Sequence, residues 1–414
     1  MEKPNVYLNL LLFTGFFLAA FPATSQSGAS DSLAPVRPPR DHNRLDIFPA
    51  ISYSPETKLT LGVIGIAYLD LRKGDRATPL STVEFLAVYT LSKQVLLESR
   101  WEVFSSGRKW RTRGEALFQR YPDRNYGIGN DASVLVVEVD DEGGRDTLNY
   151  LNFNSNRIKF SPVALRKVRR NLYFGLQADM ESLYRYKDLP DRYYFPGADS
   201  SLVRDVPVAG FRSGIGFQVL YDNRDNVINP LKGTLIEFND RHYAKWLGSD
   251  FAFSSYSLEL RQYVNPWKNH TLALRGYMSL EYTDDAVPLR ALSRVGGHKF
   301  IRGYFRGTYQ DRHMIAFEAE YRLPLWKEGD PSKLWQVWKR IGVVGFLGGA
   351  QVFHDGDAVK WSRFNLAAGG GLRILLNKSS RANIRIDYAV AFRDDSDGPG
   401  KRQRGFYFFL GEAF

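Results

Sequence analysis

Apolar and polar residues alternate along most of the chain from Asp46 onward. In 382–392, isoleucine, tyrosine, valine and phenylalanine share one face, while Asn383, Arg385 and Asp387 share the other. A period of two is typical of a β-strand with one apolar and one polar face. Segments of this kind, each about ten residues long, recur between clusters of Gly, Asp, Asn and Pro. The pattern therefore predicts an all-β fold.

The alternating segments number sixteen. They lie near 46–54, 58–70, 80–91, 94–105, 109–120, 150–161, 170–182, 209–221, 233–246, 250–264, 270–283, 312–323, 341–354, 361–375, 382–392 and 404–414. An even number of strands returns the C-terminus to the periplasmic side on which the chain begins. Connections that follow odd-numbered strands then face outward, including the long ones at 121–149, 183–208 and 284–311. The connection 324–340 faces the periplasm and is expected to hold a short helix at 332–340.

The polar faces indicate the environment of these strands. In a soluble barrel the apolar faces would point inward, but the polar faces here are long and frequently charged. A transmembrane barrel has the opposite arrangement, with apolar residues toward lipid and polar residues along a wet lumen. The 28 Phe, 23 Tyr and 8 Trp residues fit the aromatic girdles of such a barrel. The sequence predicts a 16-stranded antiparallel transmembrane β-barrel over 45–414.

The N-terminus has the pattern of an export signal. Lys3 precedes an almost continuous apolar stretch at 8–21, and Ala23-Thr24-Ser25 supplies small residues before a cleavage site at Gln26. A permanent membrane anchor is the alternative, although the apolar stretch is shorter than the ~20 residues that a spanning helix needs. Residues 26–44 are polar and proline-rich, which predicts a flexible periplasmic segment. The predicted location is the bacterial outer membrane.

Composition excludes several classes of function. The absence of cysteine removes disulfide scaffolds, thiolate metal sites and cysteine nucleophiles. The six histidines are scattered, and the glycines of 369–371 precede a strand rather than a helix. No catalytic residue, metal or cofactor is therefore expected, and the chain is not expected to be an enzyme. The net charge of +11 is spread over loops and lumen positions, which favours anionic lipid headgroups or an anion-favouring lumen over nucleic acid.

Four segments carry a resemblance to a known family. The stretch 295–304 reads Val-Gly-Gly-His-Lys-Phe-Ile-Arg-Gly-Tyr. It resembles the signature loop of the BamA/TamA outer-membrane assembly superfamily, also called bacterial surface antigens. The stretch 221–233 is similar to the family's strand-turn-strand element, and 353–356 to its Phe-x-Asp-x motif. The C-terminal strand, with Gly411 and Phe414, is similar to the family's barrel terminus.

The resemblance implies that this long extracellular loop folds back into the lumen. The implied loop motif is Gly296, Gly297, Arg302, Gly303 and Tyr304. The implied partners on the barrel wall are Glu318, Glu320, Phe353 and Asp355. Arg302 would pair with Glu320 and Asp355, since a guanidinium in a restricted lumen needs carboxylate partners. It would either brace a plug or take a dynamic part in substrate passage.

The resemblance also points to the seam where the first and last strands meet. The residues concerned are Pro49, Gly411 and Phe414. Proline cannot donate a ladder hydrogen bond, so Pro49 would weaken one edge of the first strand. In the family this junction is thought to open sideways for a client strand, which implies strand addition here. Alternatively, Pro49 only makes the first strand begin late.

The function implied by the resemblance is insertion or translocation of proteins, or of lipids, at the outer membrane. Implied partners are outer-membrane lipids, client outer-membrane or secreted proteins, and periplasmic or lipoprotein accessory proteins. Relatives that insert proteins carry periplasmic POTRA domains before the barrel, and 26–44 is too short for one. The sequence is therefore interpreted as a variant that lacks them, and a passive pore or structural barrel is the alternative function.

Overall fold

The computed structural model describes residues 43–54, 58–75, 78–91, 93–131, 136–139, 145–148, 150–187, 193–194, 207, 209–267, 270–283, 287–324, 340–377, 381–394 and 402–414. The expected signal peptide at 1–25, almost all of the segment 26–44 and the expected helix at 332–340 lie outside the described residues. The division of the chain at these points stays a prediction. Within the described part, no helix is both long and apolar enough to cross a membrane.

Sixteen strands make up the main sheet. The first eight are β1 (Arg44–Ser54), β2 (Lys58–Leu69), β3 (Ser81–Thr90), β4 (Val95–Phe104), β5 (Trp110–Asn125), β6 (Leu151–Arg169), β7 (Leu172–Lys187) and β8 (Gly210–Asp222). The others are β9 (Gly233–Tyr243), β10 (Phe253–Val264), β11 (Thr271–Tyr282), β12 (His313–Pro324), β13 (Ile341–Phe353), β14 (Asn365–Asn377), β15 (Ala382–Asp394) and β16 (Arg402–Leu410). Each pairs antiparallel with its neighbours in the sequence. The predicted 16-stranded antiparallel barrel is confirmed.

Short 3₁₀ turns account for two differences from the predicted strand ends. Lys245–Leu247 forms one such turn, so β9 ends at Tyr243 rather than at 246. Trp361–Arg363 forms another, so β14 begins at Asn365 rather than at 361. A third turn, at Ser106–Arg108, lies between β4 and β5. The backbone N–H groups of a 3₁₀ turn donate hydrogen bonds within the turn, so they are not available to the adjacent strand and the ladder ends there.

Side-chain burial follows the alternation that the sequence shows. In β12, Met314, Ala316, Glu318, Glu320 and Arg322 are buried on the lumen side, while the residues between them are half-buried. Large apolar side chains on the opposite face are exposed, among them Ile47, Leu61, Phe85, Leu176, Leu347 and Phe406. Apolar residues outside and charged residues inside are the arrangement of a membrane barrel rather than of a soluble one.

Two smaller sheets lie in the outward connections. Strand Val136–Val139 pairs with Arg145–Leu148 and with Tyr193–Tyr194, which joins the β5–β6 and β7–β8 connections. Ser293–Val295 pairs with Tyr309–Asp311 inside the β11–β12 connection. The second pairing forms the base of the loop that enters the lumen.

The β8–β9 turn, residues 223–232, is held by carboxylates. Asp225 Oδ1 accepts hydrogen bonds from the amides of Leu231 (2.9 Å) and Lys232 (3.2 Å). Its Oδ2 accepts one from Arg381 Nη1 (2.6 Å) in the β14–β15 turn. Burial alone would raise the pKa of Asp225, but these hydrogen bonds outweigh it and hold the pKa below its usual range.

Replacing Asp225 with asparagine should destabilise this turn. We expect a loss of about 1 kcal/mol in the free energy of unfolding, because a charge-assisted bond is removed from a largely exposed site. Since the folded-state pKa is depressed, the contribution is present above the unfolded pKa of about 3.9 and is lost as pH falls through the folded value. Denaturant unfolding in detergent at pH 7 and pH 3 tests both points. Lys232→Ala, which alters an exposed side chain of the same turn, is the matched control.

Candidate functional site

The β11–β12 connection turns into the lumen between its two paired strands. Gly296 N donates to Phe300 O (2.9 Å), Gly297 N to Tyr304 O (2.9 Å) and Gly307 N to Val295 O (2.8 Å). These bonds fold residues 296–308 into a compact structure, which we call the lumen loop. Gly296, with φ of 103°, has a backbone conformation that L-residues rarely adopt. The expected extracellular loop in the lumen is thus present.

Small wall residues make room for the lumen loop. A hydrophobic core forms between the loop and the inner faces of β12 to β15. Its members are Val295, Ile301, Tyr304, Tyr309, Met314, Ala316, Ala350, Val352, Ala367 and Ala391. A Cβ built on Gly303 would lie 3.0 Å from Val390 C and 3.1 Å from Ala367 Cβ. The loop backbone therefore contacts the barrel wall directly, and the interface between loop and wall is an apolar core.

Arg302 lies at the centre of this interface. Its Nη2 donates to Glu320 Oε2 (2.8 Å) and its Nη1 to Asp387 Oδ2 (2.5 Å). Its guanidinium carbon lies 3.5 Å from the centroid of the Phe346 ring, and only 2% of the side chain is exposed. A buried guanidinium that contacts two carboxylates and an aromatic face is strongly held. Removal of the arginine or of its carboxylate partners would leave an unpaired buried charge.

Further arginines extend this ion-pair network across the wall. Glu320 Oε1 also accepts from Arg322 Nε (2.8 Å) and Arg373 Nη2 (3.2 Å). Arg373 Nη1 donates to Asp387 Oδ1 (2.6 Å). The network links β12, β14 and β15, so that the loop is fastened to three strands through one set of charges.

The remaining loop contacts are hydrogen bonds to the wall. Tyr304 Oη donates to Leu366 O (3.0 Å), and Gly303 N donates to Tyr407 Oη on β16 (3.0 Å). Glu318 Oε1 accepts from the amide of Ile301 (3.3 Å). Glu318 thus binds the loop backbone rather than the Arg302 side chain.

The structure places Asp355 away from Arg302, which corrects the expected pairing. Asp355 accepts a hydrogen bond from Arg312 (3.0 Å) and lies 2.8 Å from His313 Nε2 at the external mouth. Phe353, at the end of β13, packs against the His313 ring (5.2 Å). Glu320 lies seven residues beyond His313, roughly 23 Å away along β12 at strand spacing. Asp387 therefore occupies the position expected of Asp355.

The sequence prediction missed Asp387, Arg373, Phe346 and Tyr407. Asp387 is one of the polar residues of the alternating segment 382–392, so its lumen side was predictable. Its height in the lumen relative to Arg302 was not, since it lies 85 positions along the chain. Alternation gives the face of a side chain but not which inward residue of another strand lies beside it.

The C-terminal residues also differ from expectation. β16 ends at Leu410, and Gly411 turns with φ of 88° while its N–H donates to Asn383 O (2.7 Å). Phe414 is buried in the lumen against Tyr263 and Ala273. Gly411 and Phe414 therefore do not lie on a seam strand, because the positive φ directs the chain inward. Of the expected seam residues, only Pro49 lies within an edge strand.

Glu412 continues the ion-pair network into this segment. Its carboxylate accepts from Arg373 Nε (3.0 Å) and from Asn383 Nδ2 (2.6 Å). Among the side chains that the structure describes, no three His, Asp or Glu residues are grouped so as to hold a metal ion. The network thus connects the lumen loop and the C-terminal segment to the same wall strands.

Residues 107–414 match the Omp85 superfamily domain. This match covers well over half of the chain. The chain belongs to the Omp85 superfamily. As an Omp85 β-barrel, the protein lies in the bacterial outer membrane, as predicted. No curated protein matches it by sequence.

Solved structures of similar fold include Omp85-type barrels. BamA from Haemophilus ducreyi lacking POTRA domains 1–3 has a TM-score of 0.53 at 12% identity, over 89% of this chain and 70% of that chain. CdiB from Escherichia coli has a TM-score of 0.53 at 10% identity, over 88% and 67%. CdiB from Acinetobacter baumannii has 0.51 at 10% identity, over 90% and 66%. This Omp85 barrel spans about two thirds of the length of these proteins, and the similarity shows the fold.

Proposed function

We propose that this Omp85 barrel assists the insertion or translocation of proteins, or of lipids, at the outer membrane. A client strand would add to the open edge between β1 and β16. Client outer-membrane or secreted proteins, outer-membrane lipids, and periplasmic or lipoprotein accessory proteins are the proposed partners. The lumen loop would brace the barrel while this edge is in use.

The proposal rests on the junction of β1 and β16, where the described residues form no hydrogen-bonded ladder. β1 is hydrogen-bonded to β2, and β16 to β15, but no ladder joins β1 to β16 among the described residues, although the two strands are in contact. All the other adjacent strands are joined by ladders. An unpaired edge offers N–H and C=O groups to another strand. Pro49, within β1, has no N–H to donate to a ladder.

β16 is also held less completely than its neighbours. It pairs with β15 regularly from Leu410–Ile384 to Arg404–Val390, and the register then shifts before Asp394. β15 has 13 residues, whereas β16 has 9. A short edge strand with an irregular end needs fewer hydrogen bonds to be broken before it separates.

The proposed lipid contact is supported by cations at the opposite end of the barrel from the lumen loop's entry. The β2–β3, β4–β5 and β6–β7 turns and the end of β6 carry exposed cations that make no ion pair with any described residue: Lys73, Lys109, Lys167, Arg169 and Arg170. Beside them the guanidinium of Arg166 lies 5.9 Å from the exposed Trp110 ring. An aromatic ring and cations at strand ends are suited to anionic headgroups.

Locking the β1–β16 junction should abolish the proposed activity. The chain has no cysteine, so an introduced pair is unique. One cysteine at Leu45 or Ile47 and one at Phe406 or Phe408 would lie on the lipid-facing side of both strands. We expect the oxidised protein in proteoliposomes to lose its acceleration of client-barrel folding, and reduction to restore it. The matched control is Val63→Cys with Ala87→Cys, which are opposite one another in β2 and β3.

Full acceleration with the junction locked would contradict strand addition. No acceleration even by the unmodified protein would favour the alternative, a passive pore or structural barrel. That alternative predicts steady conductance, which deletion of 295–310 would enlarge, since sixteen-stranded barrels can enclose an aqueous channel.

A further inference from the structure

Arg385 is a buried cation whose hydrogen-bonding capacity is incompletely used. It lies on the lumen face of β15, and its side chain is 2% exposed. Its Nε and Nη1 are buried without a hydrogen-bond partner among the described residues. Arg373 is directly opposite on β14, so a like charge faces it. An unsatisfied, unbalanced guanidinium is costly to bury.

The surrounding carboxylates are already used by other arginines. Asp387 Oδ1 accepts from Arg373, and its Oδ2 accepts from Arg302. Arg385 Nε lies 3.3 Å from that same Oδ2 without making a hydrogen bond. The network sets four guanidinium groups against three side-chain carboxylates, and Phe414 O also accepts a hydrogen bond from Arg322 Nη2 (3.5 Å). The cations are Arg302, Arg322, Arg373 and Arg385, and the anions are Glu320, Asp387 and Glu412.

The tip of the lumen loop lies beside Arg385. The His298 ring stacks on Phe409 at 4.1 Å, and the Arg385 guanidinium carbon lies 5.5 Å from the centroid of the same ring. Burial lowers the pKa of His298 well below its usual value, and the nearby charges of Lys299, Arg385, Arg306 and Arg100 lower it further. The charges that dominate this position are all cationic.

Lys299 extends into the open lumen. Its side chain is exposed there, and its Nζ makes no ion pair with any described residue. Desolvation inside the barrel and the charge of Arg100 lower the pKa of Lys299 to about 8, although the charges of Glu115 and Glu98 act in the opposite direction. Lys299 is therefore a second lumen cation that no carboxylate of the described residues contacts directly.

We propose that Arg385, Lys299 and His298 form a binding site for a phosphoryl anion, either free phosphate or the phosphate of a lipid headgroup. The Nη1 of Arg385, which has no hydrogen-bond partner, would donate to an oxygen of such a group, and Lys299 supplies a second charge. Arg385 is the fourth residue of β15 from its periplasmic end, and Phe409 is next to last in β16. The site therefore lies toward the periplasmic end of β15 and β16.

Titration of the full chain with inorganic phosphate tests this site. The protein is placed in nanodiscs of zwitterionic lipid, and chloride keeps the ionic strength constant. We expect saturable binding by calorimetry, weakened about tenfold or more in Arg385→Gln and less in Lys299→Gln. Lys360→Gln, which alters an exposed cation of the β13–β14 connection, should bind as wild type. Non-saturable binding, or equal affinity in wild type and Arg385→Gln, would overturn the proposal.

Thermal unfolding gives a second, independent readout. Without phosphate, Arg385→Gln should be at least as stable as wild type, because the substitution removes an uncompensated buried charge. Phosphate should raise the unfolding temperature of wild type and leave that of Arg385→Gln unchanged. If both proteins respond equally, the ion acts elsewhere. Should Arg385→Gln not fold, Lys299→Gln, at an exposed loop position, supplies the same comparison.

A second experiment distinguishes free phosphate from the phosphate of a lipid headgroup as the bound group. Nanodiscs containing phosphatidylglycerol replace free phosphate, and native mass spectrometry counts the lipid retained by wild type and by Arg385→Gln. Lipid that is retained by wild type alone and displaced by phosphate would identify a headgroup site. Saturable phosphate binding that the lipid does not compete with would identify a site for the free anion.

Discussion

Replacing Arg302 with alanine should release the lumen loop from the barrel wall. The substitution leaves Glu320 and Asp387 buried with one cation fewer and removes the contact with Phe346. We expect a loss of about 3 kcal/mol in the free energy of unfolding. This value is at the lower end of the range for breaking a buried ion pair, because Arg322 and Arg373 remain beside the same carboxylates. Planar-bilayer recordings should show frequent openings, and the band shift of heated against unheated protein on gels should change.

Two further variants separate loss of the ion pairs from loss of any arginine. Arg302→Lys keeps the charge but cannot present a fork to Glu320 and Asp387, so its conductance should be intermediate. Arg312→Ala removes a cation that pairs with the more exposed Asp355, and should cost about 0–1 kcal/mol. Wild-type conductance and gel mobility in Arg302→Ala would show that the ion pairs do not hold the loop.

Replacing Gly296 with alanine should open the same loop without altering any charge. A Cβ at this position would lie 2.0 Å from Phe305 O, and its φ of 103° is strained for an L-residue. We expect a cost of about 3 kcal/mol from strain and steric overlap together, relieved by unfolding of residues 296–308. The conductance should resemble that of Arg302→Ala.

The control for this variant is Gly356→Ala. Gly356 has a φ of 86°, but a Cβ there would meet nothing within 4 Å. Gly356→Ala introduces the conformational strain without the steric overlap. It should lower the free energy of unfolding by about 1 kcal/mol and leave the conductance unchanged. The double variant Gly296→Ala, Arg302→Ala should be little worse than either single one, since both act on one loop. Strict additivity would contradict a single cooperative loop.

The strands were predictable because their signal is local. A period of two persists through each segment, and turn residues separate the segments, so both the number of strands and their lumen faces follow from adjacent positions. The 3₁₀ turns at Lys245–Leu247 and Trp361–Arg363 were missed because their residues continue an apolar pattern into a turn. The wall alanines that receive the loop, such as Ala350 and Ala367, lie in predicted strands but carry no signal of their own.

The partners of Arg302 were only partly predictable. Glu320 was expected and does bind it, whereas Asp355 binds Arg312 and His313 instead. The stretch 353–356 places Asp355 just past the end of β13, so its height depends on where that strand ends. The depth that the loop reaches decides the partner, and that depth is set by packing against β14 and β15.

By itself, the sequence determined the all-β class, the sixteen strands, the lumen faces and the loop that carries Arg302. The tertiary structure alone decided that Asp387 is the second partner, that the chain turns inward at Gly411, and that Arg385 is left without sufficient anions. Each of these outcomes depends on the relative heights of residues in strands far apart in sequence. Alternation fixes the side of a strand on which a residue lies, but only register and loop depth fix what it meets there.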